Sequence, residues 1–310
     1  MAEPVLGQTF IEQALTDAAI GYRNKNFIAQ LVAPRVKAPK DSGKIFVFDK
    51  AAWFRDGADV DRRPGTRAPR DGYTVSTLAY SLNEMAQAHP IPDRTAQSSD
   101  AVIRNYERGI NFCLDRINLR LERHAAAAIH VTGVWGTDNT TATDWDDFSN
   151  GDPALDILTA KRTVEVAIGQ PANTLVVGRI VDDSLRIHPD GLDRFKHTQT
   201  GVMSDAQIAE WLGIERYIVG TASRNTADEG ATAVMAAVWD DDALVCYVTA
   251  APEIDEPSAC YTLTQGEMEV PVETKRYREE AEAQDVVEAM LRAQVLVTAS
   301  DAGYFFSDIV

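Results

Sequence analysis

The sequence predicts an α+β protein organised around one long helix, and three observations carry that prediction. Between Ser98 and His130, the residues Val102, Tyr106, Ile110, Cys113, Ile117, Leu121, His124 and Ala128 recur at steps of three or four. That spacing puts their side chains on one helical face. Ahead of this segment lie two stretches rich in β-branched and aromatic residues. Behind it, short apolar runs alternate with helical patterns and then return to strand-like stretches before Val310.

Residues 1–42 open with a short amphipathic helix expected over Thr9–Ala19. They then run through Phe27–Val32 into extended chain around Val36, between Pro34 and Pro39. Such an arm has no core of its own and should pack on something else, another subunit included. Lys44–Asp49 and Tyr73–Leu82 read as strands that can pair as a hairpin. The 23 residues between them carry Arg55, Asp56, Asp59, Asp61, Arg62, Arg63, Arg67, Arg70 and Asp71 among Gly57, Gly65, Gly72, Pro64 and Pro69. A loop that long with few apolar residues is functional, disordered or projecting. Its mixed charges and Arg forks suit contact with a neighbouring subunit.

Met85–Pro92 reads as a short connection with two prolines. The long helix follows over 98–130, with Ser98 or Ser99 to cap it and Asp100 in its first turn. At about 1.5 Å per residue it would run roughly 50 Å. Arg104, Glu107, Arg108, Asp115, Arg116, Arg120, Glu122 and Arg123 occupy its other faces, and His124 reads as a core histidine. One buried stripe suits a helix laid across a sheet, and the lack of sustained heptads argues against a coiled coil.

Trp135–Gly151 is polar and turn-rich and marks a boundary. Asp152-Pro153 is an N-cap and N1 pair that opens a helix through Leu155, Leu158, Thr159, Arg162 and Val166 to about Ile168. Thr174–Val177 reads as a strand, followed by a helix through Ile180 and Leu185 that ends near Pro189. Asp205–Leu212 reads as a helix and Arg216–Val219 as a strand. Ala231–Trp239 and Ala243–Thr249 read as two strands joined by Asp240-Asp241-Asp242. Glu267–Arg278 alternates, and Val295–Ala299 and Tyr304–Phe306 look extended. Glu279–Gln294 gives two signals: its Ala, Glu, Met and Leu favour helix, while Val286, Val287 and the flanking strands fit a sheet.

With 310 residues and 45% hydrophobic content the chain can bury one large core or two modest ones. Met1–Pro4 lacks the basic and apolar segments of a secretory leader, and no run of about 18 apolar residues occurs, so no membrane span is expected. Cys113, Cys246 and Cys260 are widely spaced in apolar surroundings and read as buried thiols. The net charge of −17 repels nucleic acid over most of the surface, so any bound nucleic acid is met only locally.

Signatures of catalysis are missing. His89, His124, His130, His188 and His197 are scattered without ligand spacing, and no phosphate-cradling glycine loop, dinucleotide fingerprint or nucleophile elbow occurs. Asp240, Asp241 and Asp242 lack the spacing of a calcium loop and read as a solvated turn. Asp144, Asp146 and Asp147 beside Trp145 read the same way. No catalytic residue, cofactor or metal ligand is assigned.

The order of arm, strand, charged loop, strand, long helix, compact α/β unit and closing strands resembles the major capsid proteins of tailed bacteriophages, the HK97-type fold family. So does the texture of Val238–Val248, followed by Pro252, and of the ending Val297–Phe306. The resemblance implies an HK97-like capsid fold. Its parts are an N-terminal arm (1–42), an E-loop hairpin and connection (43–92), a first part of the P domain with its spine helix (93–151, helix 98–130), an A domain (152–264) and closing P-domain strands (265–310). Part of Glu279–Gln294 should then be strand.

It further implies a head protein, not an enzyme, that self-assembles through pentamers and hexamers into an icosahedral shell around a double-stranded DNA phage genome. Such a protein is assembled in the host cytoplasm and resides in the virion capsid. Arg62, Arg63, Arg67 and Arg70 of the loop would reach acidic surface next door, with Arg55 and Asp56 as further inter-subunit contact candidates. Ser223–Gly230 and Asp240–Asp242 would gather at the capsomer axis. Some members join hairpin and P domain through a lysine–asparagine isopeptide bond, and although Lys50 is present no such crosslink is expected. Others carry a long N-terminal scaffolding segment, for which there is no room before Lys44, so a separate scaffold or a precursor is implied. Portal and decoration proteins complete the expected partners, with packaged DNA touched weakly, no cofactor and no membrane. The closest alternative is an encapsulin-like nanocompartment shell. A more distant one is a soluble enzyme with a lid over residues 50–72.

Overall fold

The computed structural model describes residues 27–310 apart from 49, 51–53, 57–63, 66, 68–69, 71, 99–101, 140–142, 196–200, 254–255 and 266–271. The arm helix expected over Thr9–Ala19 lies outside the described residues.

The chain enters through Ala29–Val32 (α1) and Arg35–Lys37 (β1), then forms a hairpin of Ser42–Phe48 (β2) and Val75–Ser81 (β3). Asn83–Pro92 (β4), Asp93–Ser98 (α2) and the long helix Val102–Ile129 (α3) follow, then Thr137–Asn139 (β5). The next elements are Pro153–Ile168 (α4), Thr174–Gly178 (β6), Arg179–Ile187 (α5), Pro189–Arg194 (α6), Asp205–Leu212 (α7) and Arg216–Gly220 (β7). Ser223–Asn225 (β8) and Met235–Ala237 (β9) form a small hairpin before Ala243–Cys246 (β10). Cys260–Thr264 (β11), Val272–Glu279 (β12), Gln284–Val297 (β13), a 3-10 turn over Ser300–Ala302 and Gly303–Phe306 (β14) close the chain.

Strand β13 is the centre of the first sheet. It pairs antiparallel with β4 along one side and with β12 and β11, end to end, along the other, while β1 adds in parallel to β11. Helix α3 lies on this sheet. A Cβ on Gly109 would sit 2.9 Å from Val287 Cγ2 and 3.0 Å from His89 Cδ2, so the missing side chain is what lets the helix approach so closely. The second sheet runs β5-β14-β10-β6-β7. Sheet membership therefore cuts across chain order, with β11 in the first sheet and β14 in the second.

Alternation of side chains makes the second sheet a shared wall. Val176, Leu244, Cys246 and Phe305 face the core beneath α3. Leu175, Val177, Ala243, Val245, Tyr304 and Phe306 face a second core formed with Ile157, Ala160 and Val164 of α4, Leu185 of α5 and Ile208 of α7. A third, small cluster of Val36, Ala38, Ile45, Tyr80, Tyr261 and Leu263 roots the β2–β3 hairpin on β1 and β11.

Several expectations are corrected. Met85–Pro92 is not a connection but most of β4, ten residues paired in full with β13. Pro90 and Pro92 fit because β4 is an edge strand, whose second side needs no ladder hydrogen bonds. The long helix is described over the 28 residues Val102–Ile129, with Asp93–Ser98 (α2) ahead of it, and its expected start between Ser98 and Val102 lies outside the described residues. Glu279–Gln294, by contrast, is in part strand as the resemblance implied: it is a strand–turn–strand in which Val286, Val287, Ala289, Met290 and Leu291 are buried where β13 is paired on both sides. Tertiary pairing overrides helix propensity there.

Trp135–Gly151 is more than a boundary, since Trp135 and Trp145 are buried in the two large cores and β5 extends the second sheet. Strand β9 covers only Met235–Ala237 and pairs with β8, so it does not form a hairpin with β10. The α3 stripe is shifted as well. Ile110, Cys113, Leu114, Ile117, Leu121, Ala125, Ala126 and Ile129 are buried, His124 is half-exposed, and Glu122, expected on the charged side, is fully buried.

Candidate functional site

The β2–β3 hairpin is anchored at its root. Seven residue pairs run from Ser42 opposite Ser81 to Phe48 opposite Val75. Ile45 and Tyr80 are buried, and the Ser81 N–H donates to Gln294 Oε1 at 2.8 Å. Farther out, Phe46 is 67% exposed, Phe54 63% and Tyr73 60%. None of these rings belongs to one of the three buried clusters. Inward contacts are also made: Lys50 pairs with Asp301, and the Phe54 ring lies by Gly169 at the end of α4.

Of the loop charges expected to meet a neighbour, Arg55, Asp56, Arg67 and Arg70 are exposed, while Arg62 and Arg63 lie outside the described residues. The acidic turn is differently placed from a free loop. Asp240 is exposed. Asp242 accepts from the Asp308 N–H at 3.0 Å and lies 3.8 Å from Nδ1 of His130, and the Asp241 carbonyl accepts from Ile309 N–H at 3.3 Å. Burial raises the pKa of both Asp241 and Asp242 above the ordinary carboxylate value. The Asp242 carboxylate and the Asp241 carbonyl thus brace the C-terminal segment, while Asp241 and Asp242 are half-buried and Asp240 is exposed. Ser223–Gly230 forms β8 and the exposed turn beyond it, and this hairpin lies beside α3 and β4.

A surface that the sequence reading missed lies on α4. Asp152 caps the helix through Leu155 N–H at 3.0 Å, and Gly169 ends it in the left-handed region at φ 71°. Pro153, Ile157, Ala160 and Val164 face the second core. Leu155, Leu158 and Val166 point outward, Val166 with 87% of its surface exposed. Ile180 and Ile187 of α5 are also about half exposed. The available signal was an apolar pattern on both faces of one helix, which a helix with one buried side does not need.

Beneath these surfaces the arm, α3 and the α/β unit meet at one buried carboxylate. Glu122 accepts from Ile28 N–H at 2.9 Å, Ala29 N–H at 2.8 Å and Trp239 Nε1–H at 2.6 Å. Burial raises its pKa against the opposing pull of these three donors. Beside it His130, with both ring nitrogens unpartnered, sits edge-on to Trp239 and Phe305, and burial pushes its pKa down to about 3.

No cluster of three or more metal-ligating side chains exists among the described residues, and none of their helices is long and apolar enough to cross a membrane. Cys113, Cys246 and Cys260 are all buried and free, as the sequence implied, and burial raises the Cys113 thiol to about 11 and Cys246 to about 12.

No family model matches the chain. It is 26% identical over 217 residues, 68% of its length and 69% of the relative's, to the major capsid protein of Burkholderia phage BcepMu. Among solved structures, it superposes on a phage-related protein from Bordetella bronchiseptica RB50 with a TM-score of 0.79 and 22% identity, covering 97% of this chain and 98% of that one. The capsid of cyanophage P-SCSP1u matches with a TM-score of 0.56 and 12% identity over 92% and 88%.

Proposed function

We infer that the chain is a major capsid protein of the HK97-type fold family, whose copies close through pentamers and hexamers into an icosahedral shell around a double-stranded DNA phage genome. The observation that carries this reading beyond the likeness in fold is the β2–β3 hairpin with its loop, where Phe46, Phe54 and Tyr73 each keep at least 60% of their surface exposed. Phe46, Phe54 and Tyr73 are each worth roughly 1.5–3 kcal/mol when fully covered, so a neighbour that covers them gains what the lone subunit forgoes. The outward face of α4 offers a second apolar contact. Identical subunits that meet hairpin to body make head-to-tail contacts, and such contacts close into rings when the rotation permits.

In this reading residues 1–42 are the arm, 43–92 the E-loop hairpin with its following strand, and 93–151 with 265–310 the P domain around α3. Residues 152–264 are the A domain. Arg55, Asp56, Arg62, Arg63, Arg67, Arg70 and Asp240 meet neighbouring subunits, with Asp241 and Asp242 bracing the turn that presents Asp240. A separate scaffolding protein, a portal and decoration proteins are the further partners, DNA is touched weakly, and assembly takes place in the host cytoplasm. The role is structural.

Negative-stain electron microscopy with sedimentation, on protein expressed alone and with its genomic neighbours, tests this reading. Closed particles or five- and six-fold rings are the expected result. Particles that enclose a protein cargo and no DNA would move the assignment to a nanocompartment shell. A monomer under both conditions would overturn it.

A further inference from the structure

A groove of about 920 Å³ runs between α3, β4 and the β8–β9 hairpin, and four arginines line it. Arg116, Arg120 and Arg123 follow at steps of four and three on α3, spanning about 10 Å of helix axis. Arg224 faces them from β8. None of the four forms an ion pair among the described residues. Of the three acids in the lining, Glu84 is held by Arg292 at 3.0 Å, and Asp228 and Glu229 stand exposed at the hairpin turn. The cations are close enough to feel one another. Burial first, and then Arg224 and Arg120, hold the Arg123 guanidinium below its usual pKa, and Arg120 and Arg123 add to the same effect of burial on His124. Three mutually repelling cations, with Arg116 one turn further along α3, make the groove locally positive on a chain of net charge −17.

We propose that this groove binds the phosphodiester backbone of double-stranded nucleic acid. The proposal rests on the reading of the chain as a DNA-enclosing shell protein and names where the subunit touches its contents. Duplex DNA carries one charge per about 1.7 Å of axis, so a 10 Å length presents roughly six, enough for every guanidinium in the groove. An extended peptide of the same length spans only about three residues. None of the exposed large apolar side chains lies in the lining, where Met85 and Ile117 are buried and Leu119 is partly so. Contacts of this kind position a backbone and read no sequence.

The test is fluorescence anisotropy of a short labelled DNA duplex with the purified full-length protein at several salt concentrations. It compares the wild type, Arg123→Gln/Arg224→Gln, and Lys37→Gln as a control outside the lining of the groove. The expected slope of log affinity against log salt is shallower by about 1.8 in the double variant, at about 0.9 per lost phosphate contact, and unchanged in the control. Thermal melting of the double variant at the wild-type temperature shows that the fold is kept. Equal slopes for wild type and double variant overturn the proposal. Displacement of the duplex by poly-glutamate at equal charge also overturns it, in favour of an acidic peptide. Electron microscopy of the same preparations separates the two readings. Closed wild-type shells with equal slopes remove only the groove assignment, whereas an absence of wild-type shells removes the DNA-enclosing role on which it rests.

Discussion

Glu122 and Trp239 are joined by a 2.6 Å hydrogen bond across 117 positions of sequence, and the same carboxylate holds the backbone N–H groups of Ile28 and Ala29. One buried side chain thus ties the exit of the arm, the long helix and the α/β unit together. Glu122→Ala leaves three buried donors without an acceptor, at about 1–3 kcal/mol each, so we expect a loss of at least 3 kcal/mol. Glu122→Gln keeps one acceptor oxygen and should lose less. Denaturant unfolding followed by tryptophan fluorescence measures both. An alanine variant as stable as the wild type would show that the junction does not hold the subunit together.

His130 makes the fold sensitive to acid. It lies against the Trp239 and Phe305 rings, with the Asp242 carboxylate 3.8 Å from Nδ1. Its folded pKa of about 3 lies below the ordinary 6.5, so between those values the unfolded chain binds the extra proton. Stability that is complete above pH 6.5 is therefore lost as pH falls toward 3, at about 1.4 kcal/mol per pH unit. At pH 5 that amounts to about 2 kcal/mol. Glu122 has the opposite sign: its pKa is raised above 4.5, so its contribution declines as pH rises through the folded value. Asp242 shares that sign. The difference between wild type and His130→Phe isolates the histidine. The variant should lose about 2 kcal/mol less than the wild type between pH 7 and pH 5, as read by unfolding at both.

What was legible in the sequence was local. Asp152, Pro153 and Gly169 fix α4 through short-range caps, and the steps from Ile110 to Leu121 fix α3 through its own periodicity. What was hidden depends on partners far along the chain. Strand β4 was masked by Pro90 and Pro92, which look like breaks until the strand is known to be an edge. The turn and first half of β13 were masked by helix-forming residues, and only pairing with β4 and β12 makes them strand. Among the candidate contact residues, Asp240, Asp241 and Asp242 looked alike in the sequence. The C-terminal Asp308 and Ile309 separate them by engaging two of the three. Glu122 was unreadable because burying a carboxylate is costly unless its donors are in place, and those donors lie 94, 93 and 117 residues away.

The outer face of α4 should matter to assembly and not to folding. Val166 touches almost nothing in its own subunit, so Val166→Glu should change stability by no more than about 0.5 kcal/mol. If a neighbour covers the helix, the buried charge should abolish closed particles while the melting temperature holds. Sedimentation velocity distinguishes particles from free subunits. Normal particles from Val166→Glu would take α4 out of the contact.

Removal of Ala51–Asp71 tests the loop in the same terms. The root of the hairpin does not depend on that segment. Ile45 and Tyr80 stay in their cluster with Val36, Tyr261 and Leu263, and Leu82 N–H still donates to the Asp41 carbonyl at 2.8 Å. The deletion does remove Phe54 and the charges Arg55, Asp56, Arg62, Arg63, Arg67 and Arg70, the side chains proposed to engage a neighbour. A folded subunit with an unchanged unfolding transition and no closed shells is the expected outcome. Electron microscopy decides it: normal shells from the shortened chain would confine the contact to the paired strands Ser42–Phe48 and Val75–Ser81, whose exposed Phe46 and Val75 the deletion leaves in place.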